Sequence, residues 1–227
     1  MPLAGFAFLK DVAENLIAAA SEASIGGAMA FGPPGSGAFF RAHMPPSIAL
    51  HEAWYPNFGD CLKTALRGQF AAGHTAACVL NSDSPTLPIS LLIETANVLA
   101  EPGDRAVLGP SADGGYYLLA LKTMHTHLFE DIAWSTSTVA AQTLVRAAEI
   151  GLPVRMLATW YDVDDSEAMM LLMGELLEGR PFSQDLRPSP APHTTALLQW
   201  LVRSARLKYR LERHASHAAH ELEEAGA

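Results

Sequence analysis

Cysteine is scarce in this 227-residue chain: only Cys61 and Cys78 occur, far apart and in no C-x-x-C arrangement. That argues against a disulfide framework or a zinc site and fits a reducing, cytoplasmic setting. Long apolar runs are missing too. No stretch approaches the ~20 uninterrupted apolar residues of a membrane span, so the chain is not expected to be an integral membrane protein. Its opening, Met1 to Ala20, is apolar but lacks a basic start, and Lys10, Asp11 and Glu14 interrupt it. It reads as an amphipathic helix and not as a signal peptide. Positive charge is in deficit, with 15 Lys and Arg against 24 Asp and Glu and a net charge of −9. Such a field repels phosphate backbones, so no nucleic acid is expected as a main partner. Nor does any set of serine, cysteine and histidine suggest covalent catalysis.

What remains is a globular composition, 49% apolar and 17% charged, in a length suited to one sizeable core with an appendage. Helical spacing of Phe6, Leu9, Val12, Ala13, Leu16 and Ile17 predicts a first helix over residues 6 to 22. Short apolar runs at Ala28 to Phe31 and Ser47 to Leu50 predict two strands, with a short helix between them at Ala38 to His43. A helix at Leu62 to Ala72 then leads to a buried strand at Ala76 to Leu80. The alternation continues with a helix at Ile89 to Ala100, strands at Ala106 to Leu108 and Tyr116 to Leu121, a helix at Thr138 to Ile150 and a strand at Val154 to Leu157. Such alternation implies a mainly parallel sheet covered on both faces, with ligands gathering beyond the carboxyl ends of its strands. From Arg180 to His193 the stretch "RPFSQDLRPSPAPH" holds four prolines and reads as an extended linker. Thr194 to Glu224 reads as one helix. The organisation expected is thus a domain over 1–179, a linker over 180–193 and a helical extension over 194–227.

Three acidic segments could carry chemistry. In "LNSDSPTLP" (Leu80 to Pro88), Asp83 sits just past a buried strand, where a carboxylate could hold Mg²⁺ or Mn²⁺ against a diphosphate; alternatively Asp83 or Ser84 caps the helix that follows. In "GPSADGGYYLLAL" (Gly109 to Leu121), Asp113, Gly114 and Gly115 form either a plain hairpin turn or part of a site. In "WYDVDDSEAM", Asp165 or Ser166 is an easy helix cap, whereas Asp162 and Asp164, on one side of an extended segment, are better placed for a metal. Two other features carry less. "GPPGSGAF" from Gly32 imitates a phosphate loop but has Ala38 where the lysine must stand. His214, His217 and His220 share a helix face that is better read as solvated than as a metal site.

Taken in order, "SDSPTLP", "LGPSADGGYYLLAL", "LFEDIAWSTSTVAAQTL" and "YDVDD" make the chain similar, from about Phe6 to Leu177, to the bacterial DUF2064 group. These are glycosyltransferase-like proteins related to the GT-A nucleotide-diphospho-sugar transferases and to 2-phospho-lactate guanylyltransferases. The resemblance implies a GT-A-like three-layer α/β sandwich, here lacking the usual first strand and its basic phosphate-contacting loop, plus a C-terminal helix. It also implies a role for Asp83, with Ser82 beside it on the substrate side, in binding the metal and the nucleotide diphosphate. Asp162 or Asp164 would complete the metal site. The Asp113, Gly114, Gly115 turn would face the acceptor or transferred group, with Trp134, Ser135 and Thr136 along the same cleft.

The leading expectation is a Mg²⁺- or Mn²⁺-dependent transferase that moves a glycosyl or nucleotidyl group from a nucleotide sugar or nucleoside triphosphate to a small-molecule acceptor. Asp113 would orient or deprotonate that acceptor. The rival is a non-catalytic relative that keeps the acidic cleft but, without the phosphate loop, only binds a ligand or partner. For the C-terminal helix, packing against a second subunit or against the chain itself is favoured over a membrane surface, because its acidic end would be repelled there.

Overall fold

A computed structural model describes residues 2–205. Helix α1 (Pro2–Ala20) is followed by β1 (Ala28–Phe31), α2 (Gly37–His43), β2 (Ala49–Glu52), α3 (Phe58–Ala71), β3 (Ala77–Leu80) and α4 (Ile89–Ala100). Then come β4 (Ala106–Pro110), β5 (Tyr116–Leu121), a 3-10 turn at Thr126–Phe129, α5 (Val139–Glu149), β6 (Val154–Met156), α6 (Ser166–Glu178) and α7 (Pro192–Ala205). Most elements lie where the apolar runs put them. β2 starts two residues later than expected, after a turn in which the Ile48 N–H donates to the Pro45 carbonyl. α3 starts four residues earlier, because Asn57 caps it by accepting from the Asp60 N–H at 3.3 Å. The expected continuation of the last helix beyond Ala205, its three histidines and any subunit contact made there lie outside the described residues.

Four strands form one sheet in the order β3-β5-β4-β6, and β1 pairs with β2 in a separate parallel ribbon. Within the larger sheet β3, β4 and β6 run one way, and β5 lies antiparallel between β3 and β4. No ladder joins β1 to β3 among the described residues. Side chains alternate across the larger sheet as the pleat requires. Leu118 and Ala120 enter a core shared with α1, α4, α6 and α7, while Leu119 and Leu121 enter the opposite one with Leu66 of α3 and Ala140 and Ala147 of α5. The result is three layers, helices on both faces of a sheet.

α1 fastens the two sheets together. Its Phe8 and Leu16 belong to the main core, and Phe6, Leu9 and Ala13 pack with Met44, Ile48, Met29 and Leu50 over the ribbon. α7 docks on α1 through Asp11, a fully buried carboxylate that accepts from the N–H groups of His193 and Thr194 (3.0 and 2.8 Å) and from the Thr194 hydroxyl (2.5 Å). A side chain from one helix thereby satisfies the orphan donors at the start of another. The proline-rich segment before α7 is extended and pinned to the loop after β3. The Ser189 N–H donates to the Thr86 carbonyl, and its hydroxyl donates to the Leu87 carbonyl while accepting from the Ile89 N–H.

Candidate active site

All three acidic segments leave the same end of the larger sheet. Asp83 follows β3, the 111–115 turn follows β4, and Asp162 and Asp164 lie on the extended segment after β6. Backbone bonds lace these loops together. Trp160 pairs with Ser111 as a further parallel bridge, the Ala112 N–H donates to the Trp160 carbonyl at 2.9 Å, and the Val163 N–H donates to the Asp83 carbonyl at 2.9 Å. The Ser84 hydroxyl donates to the Tyr161 carbonyl at 2.8 Å. Trp160 and Tyr161 are fully buried, and burial of each aromatic contributes on the order of 2–3 kcal/mol, so the strand of acids rests on fixed anchors. The Tyr161 hydroxyl donates its one proton to the buried Glu175 at 2.8 Å and must therefore accept from the Thr86 hydroxyl, 3.1 Å away.

Carboxylate oxygens of Asp113, Asp162 and Asp164 all lie within 4.8 Å of one another. Two loops therefore converge on one point. Burial and the negative charges of Asp113, Asp164 and Asp83 push the Asp162 carboxyl up to about 6. Burial, then Asp164, raises the Asp83 carboxyl, against a lowering hydrogen bond from Ser82; burial, then Asp113 and Asp165, raises that of Asp164. Like charges this close resist joint ionisation unless a cation relieves them, and hard oxygen donors suit Mg²⁺ or Mn²⁺. The residues present thus fit such an ion. Asp83 is electrostatically coupled to Asp162 and Asp164 but stands outside the tight group of three, in which Asp113 takes the third place.

Each alternative role for these residues has an outcome. Asp165 caps α6, accepting from the Ala168 N–H at 2.8 Å. Neither Asp83 nor Ser84 caps α4, whose N-cap is Pro88 and whose Ile89 N–H is met by Ser189. The Asp113, Gly114, Gly115 turn is a hairpin connection and a part of the acidic group at once. Asp113 Oδ1 accepts from the Gly115 N–H at 2.8 Å, which fixes the carboxylate. Gly114 has φ +93°, and a Cβ there would sit 2.0 Å from the Ser137 carbonyl oxygen, so only glycine fits. The Ala140 N–H donates to the Gly114 carbonyl at 3.1 Å, which brings the Trp134, Ser135, Thr136 loop against the turn. Ser135 holds φ +62°, and Thr136 donates to the Ala133 carbonyl. Ser82 is exposed, with its hydroxyl 3.3 Å from Asp83 Oδ1.

Sequence reasoning passed over Ser189, Tyr161 and Glu175, whose hydrogen bonds support the loops around the site. It also passed over the aromatic stretch Trp54, Tyr55 and Phe58. Three aromatics within five residues were a legible signal for that stretch, although their exposure was not; the others gave none.

The DUF2064 family model, described as uncharacterized proteins conserved in bacteria, matches residues 15–136, a span that contains Asp83, Asp113 and the 134–136 loop and ends before Asp162 and Asp164. No curated protein matches the chain. Among solved structures, a protein from Desulfovibrio desulfuricans G20, provisionally named a nucleotide-diphospho-sugar transferase, superposes with a TM-score of 0.72 at 24% identity, over 87% of this chain and 81% of that one. The fold is therefore GT-A-like α/β, and with a family match across more than half of its length the chain belongs to DUF2064.

Proposed function

We propose that the chain transfers a glycosyl or nucleotidyl group from a nucleotide donor to a small-molecule acceptor, with Mg²⁺ or Mn²⁺ held by the acidic group. The observation that carries this reading is the convergence of Asp113, Asp162 and Asp164 from two loops, with Asp162 raised to about 6. Burial and then neighbouring carboxylates raise these groups, and the charges acting on them, those of Asp83, Asp113, Asp164 and Asp165, are all acidic. A divalent cation bound with the donor would relieve that repulsion at neutral pH. Asp162 and Asp164 would hold it, with Asp83 flanking it at the end of β3 and Asp113 beside it on the acceptor side. Such a cation supplies charge neutralisation on a diphosphate leaving group. Because one oxygen of Asp113 is held by the Gly115 N–H, its carboxylate is fixed beside the group, where it orients the acceptor hydroxyl or accepts its proton.

A non-catalytic role, in which the acidic cleft only binds a ligand or partner, is the second reading, and the separation of the β1-β2 ribbon from the larger sheet, with β3 at that sheet's edge among the described residues, favours it. Calorimetric titration with nucleoside diphosphates, nucleotide sugars and triphosphates, each with and without Mn²⁺, separates the two. Binding that requires Mn²⁺ and disappears in Asp162→Asn is the result expected. A folded protein that binds none of them refutes the transferase reading in favour of the second.

A further inference from the structure

Between β2 and α3 the chain exposes three aromatic side chains in five residues: Trp54 (58% exposed), Tyr55 (46%) and Phe58 (57%). Exposed aromatics clustered this densely are costly in water and mark an interaction surface. The stretch is held firmly. The Ala53 N–H donates to the Phe31 carbonyl at 3.0 Å, and Cys61 Sγ lies 3.2 Å from the Tyr55 N–H and 3.4 Å from its carbonyl. The Trp54 indole lies on Gly32, where a Cβ would come within 2.2 Å of a ring carbon, so glycine there leaves room for the indole to lie flat on the backbone.

The platform is also joined to the acidic group. The Phe58 ring stands edge-on to Trp134 at 5.5 Å, and the Trp134 indole covers Gly59. The loop that carries Trp134 is closed onto Gly114, next to Asp113. Phe58 thus ties the aromatic stretch, through Trp134, to the loop packed against the Asp113 turn.

We infer that Trp54 and Tyr55, with Phe58 beside them, stack the nucleobase of the donor, an inference that rests on the transferase reading above. The side-chain carbonyl of Asn57 and the carboxylates of Asp60 and Glu52 each already hold a partner. Asn57 accepts from the Asp60 N–H, Asp60 pairs with Lys63 at 2.7 Å, and Glu52 accepts from the Gly35 N–H. A pyranose ring needs such groups for its hydroxyls, and a phosphate needs a cation, whereas a base needs only a π-face.

The test uses nucleosides, which carry no phosphate and need no metal, against methyl glycosides as the sugar control. Binding is followed by NMR of the ligand and by tryptophan fluorescence. Nucleosides are expected to bind the wild type. Trp54→Ala and Tyr55→Ala should each weaken that binding about tenfold, within the range of one lost base-stacking contact. Trp200→Ala, which removes an equally exposed tryptophan on α7, should not change it. Tyr55→Ala keeps the test open if loss of the Trp54 indole disturbs the fold. Binding of methyl glycosides in preference to nucleosides, no nucleoside binding, or full affinity in both platform variants overturns the inference. Nucleoside binding that is sensitive to Trp54, with no metal-dependent nucleotide binding, keeps the platform and sinks the transferase reading. Metal-dependent nucleotide binding indifferent to Trp54 and Tyr55 does the reverse.

Discussion

Replacing Asp162 by Asn should stabilise the protein in the absence of metal, and only at neutral to alkaline pH. In the folded state burial and three neighbouring carboxylates raise this carboxyl from 3.8 to about 6. An ionised group under that pressure carries a penalty of about 3 kcal/mol if none of it is screened. Asp162 is only partly withdrawn from solvent, so about 1 kcal/mol is the realistic figure. The unfolded chain ionises Asp162 near the ordinary carboxylate value, whereas the folded chain resists until pH rises through about 6. Wild-type stability from this group is therefore fully present below the unfolded value and is lost as pH climbs through the folded one. Asn has no such loss. Thermal unfolding with EDTA should show the variant about 2–4 °C more stable at about pH 8, with the difference fading by about pH 4. Saturating Mn²⁺ should reverse the order, because an ion that binds only the folded wild type at 100 times its Kd adds about 2.7 kcal/mol. A variant less stable than wild type at alkaline pH without metal, or a difference that ignores pH, would refute the electrostatic account of this site.

Gly114→Ala should lower stability by about 2 kcal/mol or more, since φ +93° is strained for a side chain and the new Cβ would strike the Ser137 carbonyl. Its Mn²⁺ affinity should fall with it, measured by calorimetry on the fraction that remains folded. Asp11→Ala removes a buried carboxylate that meets three donors at the start of α7 and should cost about 2–4 kcal/mol in a urea titration. An unchanged midpoint would mean that α7 is not held through that contact.

The sequence by itself determined the elements and their alternation, because local periodicity and turn residues are local signals. The run at Ala77–Leu80, the helix at Ile89–Ala100 and the aromatic strand at Tyr116–Leu121 each follow from a few consecutive side chains. It also singled out Asp83, Asp113, Asp162 and Asp164, since acidic residues just past buried strands stand out against an apolar chain. Which of these acids meet was decided by tertiary structure. Asp113 joins Asp162 and Asp164 because β4 and β6 are neighbours in the sheet, while Asp83 stands one step aside after β3, and strand order is not written in any one segment. The same holds for Asp11 at the start of α7, for Ser189 against the loop after β3, and for Trp134 over Gly59. Each of these contacts joins residues about 75 to 180 positions apart, a distance at which only packing of the whole chain, and no local pattern, selects the partner.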